Sequence, residues 1–242
     1  MKQEFNFLHE KENIQGCREF FSTNPSVYVP KVYPEFCSER LLVMEYVHGV
    51  KVNDFEKIQE MGFDTHEIGH LCISAFSDMI FRFNNLHMDP HAGNLFLRPI
   101  PNTNKPQLIL LDHGMYMHFR DHFSEDFRDL WLAMISQDQD RIKECCKPWN
   151  MEEYSEVIAL AFTGRNSHMN NKLGEGLTEE EMKKMREKMR ERMMKKQFDK
   201  EKMEERMKKM QEMMKIMPME LMSILRVQMM VCDLNRMNNN IS

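Results

Sequence analysis

Two short polar motifs, each beside an apolar run, constrain this 242-residue chain more than any other feature. The first is His87-Met-Asp89, with Asn94 five residues after the aspartate. The second is Asp112-His113-Gly114, which directly follows the apolar run 107–111. Short apolar runs bounded by polar turns are typical of buried strands. The spacing therefore predicts two loops at strand ends whose carboxylate and amide side chains converge.

The order of the two motifs is similar to that of protein kinases, in which H-x-D is followed by four residues and Asn, and later by a strand-ended D-F-G. There the first Asp meets the nucleophile, while the Asn and the second Asp hold Mg²⁺ against nucleotide phosphates. Asp89 and His87 are therefore the candidate catalytic residues, and Asn94 and Asp112 the candidate metal ligands. Ordinary turns explain either motif alone, because Asp-Pro, Gly-Asn and His-Gly are common turn dipeptides. The two motifs together, in order and beside strands, favour the site.

The segment His87–Asn94 (HMDPHAGN) resembles the H-x-D-P-H-P-G-N signature of the UbiB family, the ABC1/ADCK atypical kinase-like proteins. Asp112-His113-Gly114 resembles that family's version of D-F-G. The similarity to the ADCK subgroup covers residues 4–165 and 218–237. Outside the two motifs, the segments that resemble this subgroup are 29–32, 38–46, Gly49, 52–54, 79–81, 130–131 and 221–235.

The resemblance implies an α+β, protein-kinase-like fold, with a mainly α-helical C-lobe, a short catalytic β-hairpin and a partial N-lobe. It divides the chain into an N-lobe remnant (1–48), a C-lobe (49–177), a Met-rich charged helical insertion (178–217) and a C-terminal helix (218–242). Periodicity predicts helices over 4–21, 64–83 and 219–237, two or three helices over 121–165, and extended segments or strands at 27–32, 40–46, 95–97 and 107–111.

Three features of the N-lobe remnant bear on nucleotide contacts. Phe7-Leu8-His9-Glu10 resembles the family's F-L-N-E, which makes Glu10 the helix glutamate that pairs with a strand lysine. The segment Glu45–Val47 corresponds to the hinge, so the resemblance implies that Glu45 and Val47 contact adenine; a plain buried strand end is equally compatible with this segment. Asn6 stands where the family has an aspartate, and an amide lacks the charge for a metal role.

The resemblance implies an atypical kinase or ATPase-like protein that binds ATP with Mg²⁺. It also implies a mitochondrial or plastid location and a partner related to quinones or membrane lipids. The residues 1–13 do not look like a signal or transit peptide, so a cytoplasmic location is the other expectation. The family's K-x-G-Q segment, Ala-rich phosphate loop and strand lysine have no counterpart in the sequence, so we expect a fragment or a C-lobe-only relative. The alternative function is a catalytically inactive, pseudokinase-like interaction module.

Methionine is the one compositional outlier, with 26 residues in the chain. Eleven of them fall between 178 and 217, together with 14 Lys+Arg and 10 Asp+Glu, at steps of three and four that predict a helix. Thr178-x-x-Glu181 resembles a capping box at its start. A Met stripe suits a protein partner, and local positive charge suits an anionic membrane surface. A charged, partly solvated helix is the simpler interpretation.

Composition excludes several other classes. The formal net charge of −5 lacks the basic footprint of a nucleic-acid-binding protein, and six cysteines without a C-x-x-C spacing do not form a disulfide scaffold. His66-Glu67-Ile-Gly-His70 is a literal H-E-x-x-H, the zinc-protease signature. Ile73 and Phe76 stand where the extended signature needs Gly and His. Solvent-facing side chains are therefore the favoured interpretation of this motif, and a zinc metalloprotease is the third function considered.

Overall fold

The computed structural model describes residues 6–164 and 211–239, with side chains described through Leu234. These residues form two compact units, one made of 6–124 and 222–239 and the other of 125–164 and 211–221. The predicted Met-rich insertion lies outside the described residues except for 211–217. The predicted domain boundaries stay a prediction.

Helix α1, Phe7–Phe20, opens the first unit. Asn6 has extended backbone angles, and its side chain accepts a hydrogen bond from Leu8 N–H at 3.0 Å, so it caps the helix. The cap makes Phe7 the first residue of this helix, and the predicted positions 4 and 5 lie outside the described residues. Ile14 and Cys17 are completely buried and form the inner face of α1.

The main sheet has four short strands: β1 (Val27–Tyr28), β2 (Val50–Lys51), β4 (Leu95–Pro99) and β5 (Pro106–Leu110). Their order is β1-β5-β4-β2, with β1 parallel to β5 and the other pairs antiparallel. All five residues of β5 are buried, and Leu95 pairs with Leu110 at one end of the β4–β5 hairpin. The structure thus confirms the hairpin that the sequence predicts at 95–97 and 107–111.

A second, two-stranded sheet pairs β3 (Asn85–His87) with β6 (Tyr116–His118) in antiparallel register. His87 lies opposite Tyr116 in this pair. Three-residue strands are too short for periodicity to reveal, so the sequence did not predict this sheet. Its register decides which residues surround the two motifs.

The apolar segment 40–46 is not the buried strand that its composition predicts. Leu41 is 53% exposed and Tyr46 is 83% exposed. The backbone pairs with the segment 31–33 outside the two sheets, with Tyr33 N–H donating to Val43 O at 2.9 Å and Glu45 N–H donating to Lys31 O at 2.7 Å. Apolar composition does not separate a buried strand from an extended segment of this kind.

Helices α2 (Phe55–Glu60) and α3 (Thr65–Asp78) follow β2. The Asp64 side chain accepts a hydrogen bond from His66 N–H at 3.0 Å and so caps the start of α3. A five-residue π-helical turn, Met79–Phe83, continues α3 and ends at Asn84, whose φ is 55°. This left-handed residue ends the helix and leads the chain directly into β3.

The second unit is helical, with α4 (starting at Phe123 in the first unit and ending at Ser136), α5 (Gln139–Cys145) and α6 (Ser155–Thr163). This confirms the predicted helices of region 121–165. Phe127 is buried, and its ring centroid lies 5.4 Å from that of Phe162. Ile135 is 41% exposed, because the buried stripe of α4 runs through Leu130 and Met134.

Helix α7, Met219–Asn239, closes the described chain and confirms the predicted C-terminal helix. Its buried residues Ile224, Val227 and Val231 are spaced by three and four, as one helix face requires. No helix within the described residues is both long and apolar enough to cross a membrane.

Candidate functional site

The first motif forms a tightly bonded loop between β3 and β4. Asp89 N–H donates to Nδ1 of His87 at 3.1 Å, and the Asn94 amide Nδ2 donates to the Asp89 carbonyl at 3.1 Å. Asn94 N–H also donates to the carbonyl of His91 at 2.9 Å. The loop thereby fixes the backbone of Asp89 at both ends, while the Asp89 side chain remains partly exposed.

His87 anchors this loop from the core, where it is completely buried. Burial, with a smaller effect from the charge of His113, lowers the pKa of His87 to about 3, while a backbone interaction with Asp112 acts in the opposite direction. Because Nδ1 accepts a hydrogen bond, the neutral ring carries its proton on Nε2, which makes no hydrogen bond of normal geometry among the described residues. This placement favours support of Asp89 over direct contact of His87 with a bound molecule.

The second motif follows β5 and is joined to the first. Leu111 N–H donates to the Asn94 carbonyl at 3.0 Å, which extends the β4–β5 hairpin by one bond. Gly114 N–H donates to Asp112 Oδ1 at 2.9 Å, and a Cβ on Gly114 would lie 3.3 Å from that oxygen. The hairpin thus brings Asn94 and Asp112, the two predicted metal ligands, to the same end of the sheet.

His113 is buried and bonded through both ring nitrogens. Its Nε2 lies 3.1 Å from the Leu110 carbonyl and its Nδ1 lies 2.8 Å from the Tyr116 hydroxyl. A carbonyl only accepts, so Nε2 carries the proton and Nδ1 accepts from Tyr116. Burial lowers the pKa of His113 to about 4. The Cys17 thiol interacts with the same Tyr116 hydroxyl, and burial raises the pKa of Cys17 to about 12.

Glu10 on α1 contacts the second motif. Its Oε1 accepts a hydrogen bond from His113 N–H at 3.3 Å, and Asn13 Nδ2 donates to the His113 carbonyl at 2.9 Å. Burial raises the pKa of Glu10, the His113 N–H lowers it and the nearby charge of Asp112 raises it. No cation pairs with Glu10 among the described residues. The helix glutamate that the resemblance implies is thus attached to the Asp112 turn.

The predicted hinge residues lie elsewhere in the first unit. The Glu45 carboxylate accepts hydrogen bonds from the Tyr28 hydroxyl at 2.7 and 2.8 Å and from Lys31 N–H at 3.0 Å. Burial acts to raise the pKa of Glu45, but these hydrogen bonds and the nearby arginine charges outweigh it, so the pKa is lowered. Val47 is half-buried in the segment that follows. In the described chain, no recorded hydrogen bond joins Glu45 or Val47 to Asp89.

A cavity of about 630 Å³ lies in the first unit, between α1 and the β3–β6 sheet. Asn13, Gly16, Asn85 and Tyr116 are among its lining residues, and none of the predicted site residues is. Asn85 Oδ1 is buried and has no hydrogen-bond partner within residues 6–164 and 211–239. The cavity thus reaches Gly114 of the second motif, but the predicted catalytic and metal-binding side chains do not line it.

The H-E-x-x-H motif lies on the surface of α3. His66, Glu67 and His70 are all exposed, as the interpretation of solvent-facing side chains predicted. Within the described part of the chain, no group of three His, Cys, Asp or Glu side chains is placed to hold a metal ion. The structure thus offers no support for a zinc protease site here.

Sequence reasoning missed three residues that the structure places beside the motifs. His91 lies within the first motif, with its Nε2 3.5 Å from Asp89 Oδ2. Tyr116 follows the second motif by two residues, and Cys17 lies seven residues after Glu10, two turns along α1. A sequence signal existed for two of them, because His91 is inside the matched signature and Cys17 shares one face of α1 with Glu10.

Comparison with known proteins agrees with these features. Residues 1–146 match the ABC1 atypical kinase-like domain. AarF domain-containing protein kinase 1 of Xenopus laevis is 32% identical over 185 residues, which are 76% of this chain and 36% of that protein. Probable serine/threonine-protein kinase abkB of Dictyostelium discoideum is 31% identical over 186 residues, 77% of this chain and 26% of that protein. AarF domain-containing kinase 1 of Drosophila melanogaster is 35% identical over 163 residues, 67% of this chain and 31% of that protein.

A solved complex of Rv3197 with erythromycin from Mycobacterium tuberculosis has a TM-score of 0.48 and 19% identity, covering 60% of this chain and 35% of that one. The chain spans about a third of the length of the curated relatives it matches, between 26% and 36% for those named here. The domain match, which covers more than half of the chain, and the two linked motifs give the same assignment. The chain belongs to the ABC1 atypical kinase-like (UbiB) family and has its α+β, kinase-like fold.

Proposed function

We propose that this chain binds ATP together with Mg²⁺ and acts as an atypical kinase or ATPase. The observation that carries the proposal is the β4–β5 hairpin, which brings Asn94 and Asp112 to one end of the sheet beside the Asp89 loop. Family membership supports the same function, because the relatives matched here carry kinase names. Those names describe whole proteins of which this chain spans about a third, and we propose the same activity for this chain.

The donor atoms at the hairpin fit Mg²⁺. Asn94 uses its Nδ2 to donate to the Asp89 carbonyl, which leaves its Oδ1 as a ligand. Asp112 uses Oδ1 to accept from Gly114 N–H, which leaves Oδ2 as a second ligand. Mg²⁺ prefers oxygen ligands and is usually held by one or two side chains plus substrate phosphates. When bound, the ion neutralises charge on the phosphates during transfer.

Asp89 is the residue that we assign to the nucleophile. Its backbone is held by His87 and by Asn94, which fixes the point from which its carboxylate extends beside the two proposed metal ligands. A fixed carboxylate can accept the proton of an attacking hydroxyl and orient that hydroxyl toward a phosphate. Adenine contacts would come from the backbone of the Glu45–Val47 segment, as the resemblance implies.

Calorimetry of the full chain tests the proposal. We expect Mg·ATP to bind and Asp112→Asn to weaken binding roughly tenfold or more, because the variant removes the charged metal ligand. The matched control is Asp140→Asn, which changes an exposed aspartate on α5 and should leave the affinity unchanged. Equal affinities of the two variants, or no binding by the parent chain, would contradict the proposal.

Family membership is also the basis for a proposed cellular location and proposed partners. We propose a mitochondrial location and a partner related to membrane lipids or quinones. Fractionation of cells that express a tagged chain tests the location, and a tagged chain found only in the cytosol would contradict it. The other expected partner is a protein that binds residues 178–217. Its binding to the full chain should be lost in a variant in which this segment is replaced by a flexible linker.

A non-catalytic interaction module is the second candidate function, and one observation favours it. The Glu10 carboxylate contacts the Asp112 turn and has no cationic partner in the described chain, whereas nucleotide positioning in kinases uses a lysine–glutamate pair. Under this candidate, calorimetry would give no heat with Mg·ATP. The same experiment therefore separates the two functions.

A further inference from the structure

His91 occupies an unusual position beside Asp89. Its Nε2 lies 3.5 Å from Asp89 Oδ2, and its side chain is 50% exposed while that of Asp89 is 29% exposed. The ring is held from its other side, because Gly93 N–H donates to His91 Nδ1 at 2.9 Å. A nitrogen that accepts a hydrogen bond carries no proton, so the proton of the neutral ring is on Nε2, the atom that faces the carboxylate.

The position of the His91 ring also explains why residue 93 is a glycine. A Cβ on Gly93 would lie 2.7 Å from His91 Cε1 and 2.9 Å from Nδ1, closer than real Cβ contacts allow. Any other residue at 93 would therefore push the ring away from Asp89. The loop has room for the ring in this orientation only because position 93 has no side chain.

The two histidines of the motif hold different parts of one aspartate. His87, which is buried, accepts the backbone N–H of Asp89, whereas His91, which is half-exposed, places its Nε2 3.5 Å from the carboxylate Oδ2. We propose that His91 is a positioning residue that orients the Asp89 carboxylate, and that Gly93 is required for this orientation. With Oδ2 facing His91, Oδ1 is left to meet an attacking hydroxyl. This role rests on the proposed ATP-dependent function.

Turnover and binding by the full chain test the role together. We expect His91→Ala to lower kcat for ATP hydrolysis about ten- to hundredfold, as misplacing a catalytic group does, while the Kd for Mg·ATP stays within about twofold. Added imidazole should restore part of the rate, because the side chain it replaces is half-exposed; a merely structural residue would not be rescued this way. Gly93→Ala should lower kcat in the same direction.

Matched controls separate these effects from general damage. His66→Ala removes an exposed histidine on α3, and Gly16→Ala adds a Cβ that meets only Phe83 at 3.7 Å; neither should change kcat. A readout that needs no turnover is the long-range ¹H–¹⁵N spectrum of the histidine rings. We expect the Nε2–H tautomer at His91 in the parent chain, and its loss or a clear change of ring shifts in Gly93→Ala.

The possible outcomes distinguish the two proposals. A parent chain that binds no Mg·ATP contradicts the proposed function itself. A parent that hydrolyses ATP at a rate that His91→Ala does not change overturns the positioning role alone, as does an Nδ1–H tautomer at His91. A parent that binds Mg·ATP without turnover overturns the positioning role and the ATPase activity, leaving nucleotide binding intact.

Discussion

The hydroxyl of Tyr116 lies 2.8 Å from Nδ1 of His113, and this bond joins the second motif to the β3–β6 sheet. The two rings are nearly parallel, with an interplanar angle of 12°. Since His113 also donates to the Leu110 carbonyl, all its polar ring atoms are satisfied in a buried position. The residue between Asp112 and Gly114 is thus held by hydrogen bonds where a phenylalanine would be held by packing alone.

Tyr116→Phe should destabilise the chain, because it keeps the ring but leaves the buried Nδ1 of His113 without a donor. We expect a loss of about 1–3 kcal/mol in the free energy of unfolding, the usual cost of an unsatisfied buried polar group. Urea unfolding measures it. Tyr46→Phe is the matched control, because Tyr46 is 83% exposed and should change little. Equal losses in the two variants would contradict the role of the bond.

Stability should fall as the pH falls below about 6.5, because His87 and His113 have pKa values lowered to about 3 and about 4 by burial. Between those values and about 6.5, the unfolded chain binds protons at these histidines that the folded chain does not. Their stabilising contribution is therefore complete above that range and is lost on acidification, by about 1.4 kcal/mol per pH unit for each histidine.

Urea unfolding at several pH values between about 7 and about 5 measures this slope. His113→Phe removes one of the two groups, so we expect the slope to be roughly halved whatever the stability of the variant at neutral pH. His66→Ala, which removes an exposed histidine, is the control and should leave the slope unchanged. A slope that His113→Phe does not alter would show that other groups cause it.

The parts of the site that sequence could predict are those that depend on near neighbours. Asn94 borders β4, and Asp112 is separated from the end of β5 only by Leu111, so the apolar strands locate both. The hydrogen bond from Asn13 to His113 joins residues that are 100 positions apart, and no local sequence pattern predicts it. The prediction of a buried strand at 40–46 failed for a related reason, since the exposure of this segment depends on which distant segments pack against it.

Glu10→Gln should leave the chain at least as stable as the parent at neutral pH. The amide oxygen can still accept from His113 N–H, while the partly buried charge that repels Asp112 is removed. Glu10→Ala should instead lose about 0.5–1.5 kcal/mol, because the hydrogen bond is removed as well. A Glu10→Gln variant that is less stable than the parent in thermal unfolding would show that the charge itself stabilises the fold. Glu12→Gln, on the exposed face of α1, is the control.

Two Gly→Ala substitutions should have opposite effects, because the space around the two glycines differs. A Cβ on Gly49 would lie 2.9 Å from the Leu97 carbonyl and 3.1 Å from Ile109, where backbone and a buried strand cannot move aside. Gly49→Ala should therefore cost about 1–3 kcal/mol of stability. Gly16 lies inside α1 with only Phe83 nearby at 3.7 Å, so Gly16→Ala should gain about 0.5–1 kcal/mol from helix propensity. Thermal or urea unfolding of both variants checks the two signs. A stabilising Gly49→Ala would show that the chain around Gly49 can move enough to accept a Cβ.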